Sequence, residues 1–490
     1  MAAKPKRFDR NLVVIGAGAA GLVSSYIAAT VKAKVTLIEK GPMGGDCLNY
    51  GCVPSKALIH AAKVAATIKH GKELGLNAEL RHLDFPKLMQ SVNEAIHKIE
   101  PHDSVERYQG LGVDVIKGEA RILDRWRVEI KTPDGEGQVL TTRAIIIATG
   151  AAPIVPDIEG LERARYVTSE TLWHHLSNLQ ELPKHIAILG GGPIGCELAQ
   201  AFARLGSEVS LIDRGSRLLK KESKDASATI MAALEKDGVK VMLATTLESC
   251  GEEGRLFLKT NSEAKQASHE LKSDLLMLAT GRRPRLKNIG LEALGIDPSS
   301  PLEVDDYLRS RVDNVYFAGD VAGRFQFTHV AAHEAWYASV NSLFSWLKKF
   351  RADYRVIPRV TFTDPQVASV GRSVDEGVNN DELEVTRYNI AGLDRAIAES
   401  ANLGCVEVLT KRGKDQVLGV SITAAHAGEM LPEFVSVMKR KKGLGEILNT
   451  IHAYPTWSEA NKYLAGEWKK KHKPEFLLSL LAKIHAWRRR

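Results

Sequence analysis

Short apolar runs of strand length recur along the chain, each closed by glycine and followed by helix-period residues. Residues 12–15, LVVI, run directly into Gly16, Gly18 and Gly21, then an apolar helix to about Val31 and a second strand, Val35–Ile38, that ends at Glu39. Residues 186–189, IAIL, repeat the pattern with Gly190, Gly192 and Gly195, a helix to about Leu205, and the strand Val209–Ile212 ending at Asp213. In both copies eighteen residues separate the last glycine from the acid. Uninterrupted apolar strands alternating with helices predict parallel sheets covered on both faces. Two more such strands, AIIIATG at 144–150 and LLMLATG at 275–281, end in Gly150 and Gly281, and VYFAGD at 315–320 ends in Gly319 and Asp320. From about Pro358 the texture changes to strand-like pieces near 383–390, 403–409 and 416–423 and a helix at about 428–439, which predicts an α+β domain with an antiparallel sheet.

The glycine turns carry chemistry. Strand, GxGxxG, helix, strand and acid form the dinucleotide-binding fingerprint: the glycines let a pyrophosphate approach a helix N-terminus, and the acid takes a ribose hydroxyl. The fold class predicted is therefore α/β, with two Rossmann-like dinucleotide-binding domains. Two units imply two nucleotide cofactors, or one site and a degenerate copy. Glu39 and the adjoining Lys40 belong to the first site, as do Gly150, Gly319 and Asp320. Gly281 and Arg214 belong to the second. Asp213 favours NADH because its charge repels a 2′-phosphate, while Arg214 and Arg217 pull toward NADPH.

The most informative stretch is GGDCLNYGCVPSK at 44–56. Cys47 and Cys52 stand five apart, flanked by Gly44, Gly45, Gly51 and Pro54. In a regular helix that spacing puts Cα atoms roughly 8–9 Å apart, whereas a disulfide needs about 4.4–6.8 Å. A bonded pair thus requires a break in the helix, for which Gly51 is suited, and suggests a labile, working disulfide. The alternative is two free cysteines acting as small hydrophobes. The pair begins eight residues after Glu39, so a cofactor exchanging electrons with it occupies the first site. A flavin is the natural partner of thiols and nicotinamide, which places FAD there and NAD(P)H in the second site.

Charge changes the picture only at the end of the chain. Of a net +8, the residues after Ala465 contribute +6, from eight Lys or Arg against Glu467 and Glu475. This is a basic tail rather than a basic protein, and nucleic acid is not an expected partner. After Pro474 the apolar residues Phe476, Leu477, Leu480, Leu481, Ile484 and Trp487 fall on one helical face. That helix packs on its own dimer, or docks on a membrane surface or partner protein. The polar start, MAAKPKRFDRN, has no apolar signal core, and the chain is expected to be cytoplasmic. The five cysteines form no secreted framework and no metal motif.

These ordered motifs, over about residues 10–465, resemble the pyridine nucleotide–disulfide oxidoreductases, the group of dihydrolipoamide dehydrogenase, glutathione reductase and mercuric reductase. The resemblance implies an FAD domain (1–153), an inserted NAD(P) domain (154–283), a completing central segment (284–352), a dimerisation domain (353–465) and the tail (466–490). It also implies a homodimer, with each active site completed by the other subunit's C-terminal domain. Cys52 would face the flavin, Cys47 would meet the substrate, and Lys56 would sit beside the flavin paired with Glu197. Disulfide-reducing members have a histidine directly before the proline of the last motif and a glutamate five residues later. Here the glutamate is Glu459, the position before Pro455 is Tyr454, and the nearest histidine, His452, is two residues early. Tyrosine titrates near 10 and histidine near 6.5, so Tyr454 is a poor acid–base group at neutral pH. This favours the mercuric-reductase branch, whose acceptor is a soft metal ion, although no cysteine follows Cys405 where those enzymes usually carry a vicinal pair. Other readings are a dihydrolipoamide dehydrogenase or small-disulfide reductase, a flavin-direct quinone reductase or transhydrogenase, and a docked dimeric component of a larger assembly.

Overall fold

The computed structural model describes residues 3–262, 265–378 and 380–490. The first unit runs β1 (Leu12–Ile15), α1 (Ala19–Thr30), β2 (Val35–Glu39), α2 (Gly45–Asn49) and α3 (Cys52–His70). Its five-stranded sheet is wholly parallel and orders Val315–Phe317, Ile145–Ile147, β1, β2 and Asp114–Lys117. The second unit contains β3 (His185–Leu189), α4 (Pro193–Leu205) and β4 (Glu208–Ile212). Its parallel sheet orders Lys240–Met242, β4, β3, Leu275–Leu278 and Tyr166–Thr168. Every residue of β1 is fully or almost fully buried, the expectation for a strand covered on both faces.

The two units repeat more deeply than the glycine spacing suggests. Each inserts a three-stranded antiparallel meander just before the strand that ends in ATG: Glu119–Asp124, Arg127–Lys131 and Gly137–Thr141 in the first, and Thr245–Cys250, Arg255–Ser262 and Lys265–Lys272 in the second. The edge strand Val315–Phe317 and helix α5 (Thr328–Phe344) then return to complete the first unit. Ala331, Ala335 and Ala338 of α5 share a core with Ala20, Ala28 and Ala29 of α1, small residues that let the two helices approach closely.

The C-terminal domain is a five-stranded antiparallel sheet ordered Pro358–Thr361, Gln366–Gly371, Val417–Ala424, Cys405–Lys411 and Leu383–Asn389. Helix Ala427–Lys439 buries Met430, Leu431, Phe434 and Val437 against it. Two helices close the chain, α6 (Glu459–Lys471) and α7 (Glu475–Arg488). The expected start of the tail at 466 falls inside α6, where Trp468 is buried in the domain core, donates to Glu384 at 3.1 Å and stacks on His472. The part of the tail free of the body begins after His472, and no residue of α7 is buried.

Candidate functional site

The glycine turns dictate the site's floor. A Cβ on Gly16, at φ +102°, would lie 2.4 Å from the Ala148 carbonyl oxygen, and one on Gly21 would lie 1.7 Å from that of Gly16. Gly190 and Gly195 repeat both encounters, at 2.3 Å from Ala279 O and 1.9 Å from Gly190 O. These glycines are therefore required for strand and helix to meet. The acids clasp the turns in the same way. Glu39 accepts from Ala17 N at 2.5 Å and Gly41 N at 2.7 Å. Asp213 accepts from Gly191 N at 2.7 Å and Gly215 N at 2.6 Å. Each acid is thus a brace as well as a candidate ribose acceptor. Lys40, by contrast, is exposed and lies 3.6 Å from Glu119.

Gly45 joins this floor to the cysteines. At φ +59° its Cβ would come 2.6 Å from Gly18 Cα, so only glycine lets the cysteine segment lie on the first turn. The helix then breaks between Asn49 and Cys52, with Gly51 at φ −117°, ψ −103°, as a reactive pair at this spacing requires. Cys47 and Cys52 are free thiols. Their mutual interaction pushes the Cys52 thiol down to about 6, helped by Thr328 and by the Lys56 charge, and pushes Cys47 well above the usual thiol range. Cys52 opens α3, and Thr328 opens α5 with its Oγ1 3.5 Å from Cys52 Sγ. Two helix N-termini therefore favour the thiolate. Thr328 was missed from sequence; no local motif marks a residue brought in from 276 positions away.

Lys56 and Glu197, linked only by resemblance in the sequence, form an ion pair at 2.8 Å. Glu197 also accepts from Phe362 N at 2.8 Å, and Lys56 lies over the Phe362 ring, 4.6 Å from its centroid. A second cluster surrounds Arg282, whose side chain is only 12% exposed. Its guanidinium lies 3.2 Å from Asp46 and 3.9 Å from Asp320. Burial pushes the Asp320 carboxyl up to about 6 and that of Asp46 upward as well. Asp46 Oδ1 and Arg282 Nε are buried with no hydrogen-bond partner among the described residues. Arg282 directly follows Gly281, a placement after the second ATG that could have flagged it.

The C-terminal candidates lie apart. Among the described residues, no hydrogen bond or ion pair links His452, Tyr454 or Glu459 to the cysteines. The His452 ring is buried, with Nε2 3.0 Å from Glu433 and Nδ1 3.0 Å from Thr450 O. Tyr454 is 69% exposed and donates to Asp394 at 2.9 Å, which raises its pKa further. Glu459 accepts from Thr456 N and Tyr463 OH, both at 3.1 Å.

The residues present fit dinucleotides in both units. Gly18 and Gly192 cap α1 and α4 without a side-chain hydrogen bond, leaving the first N–H groups free for phosphate. A Cβ on Gly150 or Gly192 would meet nothing within 4 Å, so the space in front of each is open. Gly319, at φ +80°, donates to buried Glu334 at 2.7 Å. Gly281, at φ +119°, has only Ile154 near its missing side chain. Arg217 is held by the carbonyls of Glu222 and Lys220, while Arg214 is exposed. No group of acids, histidines and cysteines with metal-ligand geometry occurs among the described residues.

Comparison with known proteins agrees with this geometry. A family model for pyridine nucleotide-disulphide oxidoreductases matches residues 10–335, and the dimerisation-domain model of that family matches residues 357–465. The chain is 31% identical over 458 residues to a mercuric reductase of Bacillus cereus, covering 93% of this chain and 71% of that one. It is 32% identical over 463 residues to a dihydrolipoyl dehydrogenase of Chlamydia muridarum, covering 92% and 94%. Among solved structures, the Cu(II) complex of the HOCl-induced flavoprotein disulfide reductase RclA from Escherichia coli superposes with a TM-score of 0.80 at 26% identity, covering 93% and 99%.

Proposed function

The chain belongs to the pyridine nucleotide-disulphide oxidoreductase family and is an FAD-dependent enzyme using NAD(P)H, and from that premise we propose a homodimeric reductase whose Cys47–Cys52 pair delivers electrons to a soft metal ion. The observation that carries this reading is the residue before Pro455: Tyr454 stands there, exposed, with its hydroxyl committed to Asp394. Exchange with a dithiol or disulfide needs a group titrating near neutrality, whereas a thiophilic cation needs only thiolates. His452 does not supply the group, because both its ring nitrogens are engaged. The relatives' names divide: a mercuric reductase and a structure solved with Cu(II) favour a metal, whereas a dihydrolipoyl dehydrogenase and the disulfide reductase of that same structure favour a disulfide, so the acceptor reading rests on Tyr454.

FAD, which the first glycine turn and Glu39 would hold, would supply the two-electron link between nicotinamide and the cysteines. Two electrons entering the Cys47–Cys52 disulfide break the S–S bond and leave two sulfur groups, with Cys52 deprotonated at neutral pH. Thr328 and Lys56 hold that thiolate in place. Hg(II) bound by the pair accepts two electrons and leaves as Hg(0), and the S–S bond re-forms. With Cu(II), two ions are reduced to Cu(I) for each bond re-formed. NADH is the preferred donor, because Asp213 occupies the ribose side of the second turn while Arg217 is tied to backbone carbonyls.

The test is the rate of NADH oxidation with Hg(II) presented as a thiol complex, with Cu(II), with lipoamide and with glutathione disulfide, for the parent and for Cys47→Ser. The proposal expects metal-dependent turnover that Cys47→Ser abolishes. Faster turnover with lipoamide than with either metal would make it a disulfide reductase. Full activity of Cys47→Ser toward quinones alone would mean that electrons bypass the cysteines.

A further inference from the structure

We propose that α7 is a peripheral membrane contact that seats the enzyme on an anionic lipid surface. Every large apolar residue of this 14-residue helix is 39–84% exposed, Leu477 and Leu478 as well as Phe476, Leu480 and Trp487. At 1.5 Å per residue the helix is about 21 Å long, against roughly 30 Å for a hydrocarbon layer. No helix of the described residues is long and apolar enough to cross a membrane.

Charge selects the occupant. Exposed Lys469, Lys470 and Lys471 form a collar where the chain leaves the body, and Arg488, Arg489 and Arg490 close the far end. Within α7 the only acid is Glu475, in the first turn. An apolar face with Trp and Phe, flanked by basic residues, is the arrangement that inserts at the headgroup boundary of anionic lipid. A second copy of the chain offers the wrong complement, since it carries the same basic tail on a body of net charge +2. This inference is independent of the acceptor proposed for the cysteines.

The experiment is co-sedimentation of the FAD-loaded enzyme with vesicles of equal parts phosphatidylglycerol and phosphatidylcholine, and with phosphatidylcholine alone. Three proteins are compared: the full chain, a chain ending at His472, and the full chain carrying Leu480→Ser, Leu481→Ser and Trp487→Ser. The truncation removes no buried residue, so its flavin content and thermal midpoint should match the parent. The expected result is binding to the anionic vesicles that weakens with salt and falls at least about tenfold in both variants. Failure of the full chain to bind, or binding that survives truncation, overturns the proposal. So does a drop in oligomeric mass on truncation without vesicle binding, which would make a second copy the occupant.

Discussion

Cys52 Sγ lies 3.5 Å from Thr328 Oγ1, which joins the redox segment to the first turn of a helix 276 residues further along the chain. The contact places a hydroxyl and a helix N-terminus on the sulfur whose thiol is pushed down to about 6, chiefly by its interaction with Cys47 and then by Thr328. A depressed thiol pKa means the thiolate persists above pH ~6 and is lost as pH falls through that value. Alkylation of the reduced enzyme by iodoacetamide should show a midpoint near 6. Thr328→Val should raise it by about one pH unit, the worth of one hydrogen bond to a charged acceptor. An unmoved midpoint would remove Thr328 from the account.

Glu197 should serve stability and electrostatics separately. It accepts from Phe362 N and from Lys56, so Glu197→Ala orphans a backbone amide and should cost about 2 kcal/mol of stability in urea unfolding. Glu197→Gln keeps an oxygen for the amide and should cost less than half of that. Both variants leave Lys56 charged and remove the carboxylate that neutralises it, so neither should raise the alkylation midpoint.

Two glycines should fail in different ways. Gly45→Ala forces a Cβ to 2.6 Å from Gly18 Cα at a positive φ, and should yield protein depleted in flavin with a lowered thermal midpoint. Gly192→Ala meets nothing within 4 Å of the protein, and should leave folding and flavin content unchanged. Its side chain would enter the open space before α4, so the KM for NADH should rise several-fold while kcat changes little.

How much of this was legible in the chain depended on range. The apolar runs and glycines placed β1, β2, β3 and β4 to within a residue, because one face or both of each strand is buried and the turns allow only glycine. The meanders escaped although Arg127–Lys131 alternates buried Val128 and Ile130 with polar residues, since the strands are short and their partner Gly137–Thr141 is mostly exposed and carries no clear period. Thr328, Asp46 and Phe362 gain their roles only when distant segments converge, and nothing local marks them. His452 shows the converse: a histidine near the expected place in the sequence whose ring turns inward to Glu433. The tail's basic residues read as one segment, yet Trp468 fixes the first of them to the domain core.

Tyr454 and His452 should separate by readout. Tyr454→Phe removes only an exposed bond to Asp394 and should leave metal-dependent turnover and its pH profile within about twofold of the parent. His452→Ala leaves Glu433 short of a partner in a buried pocket and should lower the thermal midpoint without changing the pH profile of turnover. Loss of one limb of the profile in either variant would restore that residue as an acid–base group.

An anaerobic NADH titration of the flavin-loaded enzyme shows whether electrons pass through Cys47 and Cys52. A new long-wavelength absorbance band is expected on reduction, absent in Cys52→Ser and fading as pH falls below about 6 with protonation of the Cys52 thiolate. Bleaching of the flavin without such a band, identical in parent and Cys52→Ser, would contradict it and leave the cysteines outside the reaction.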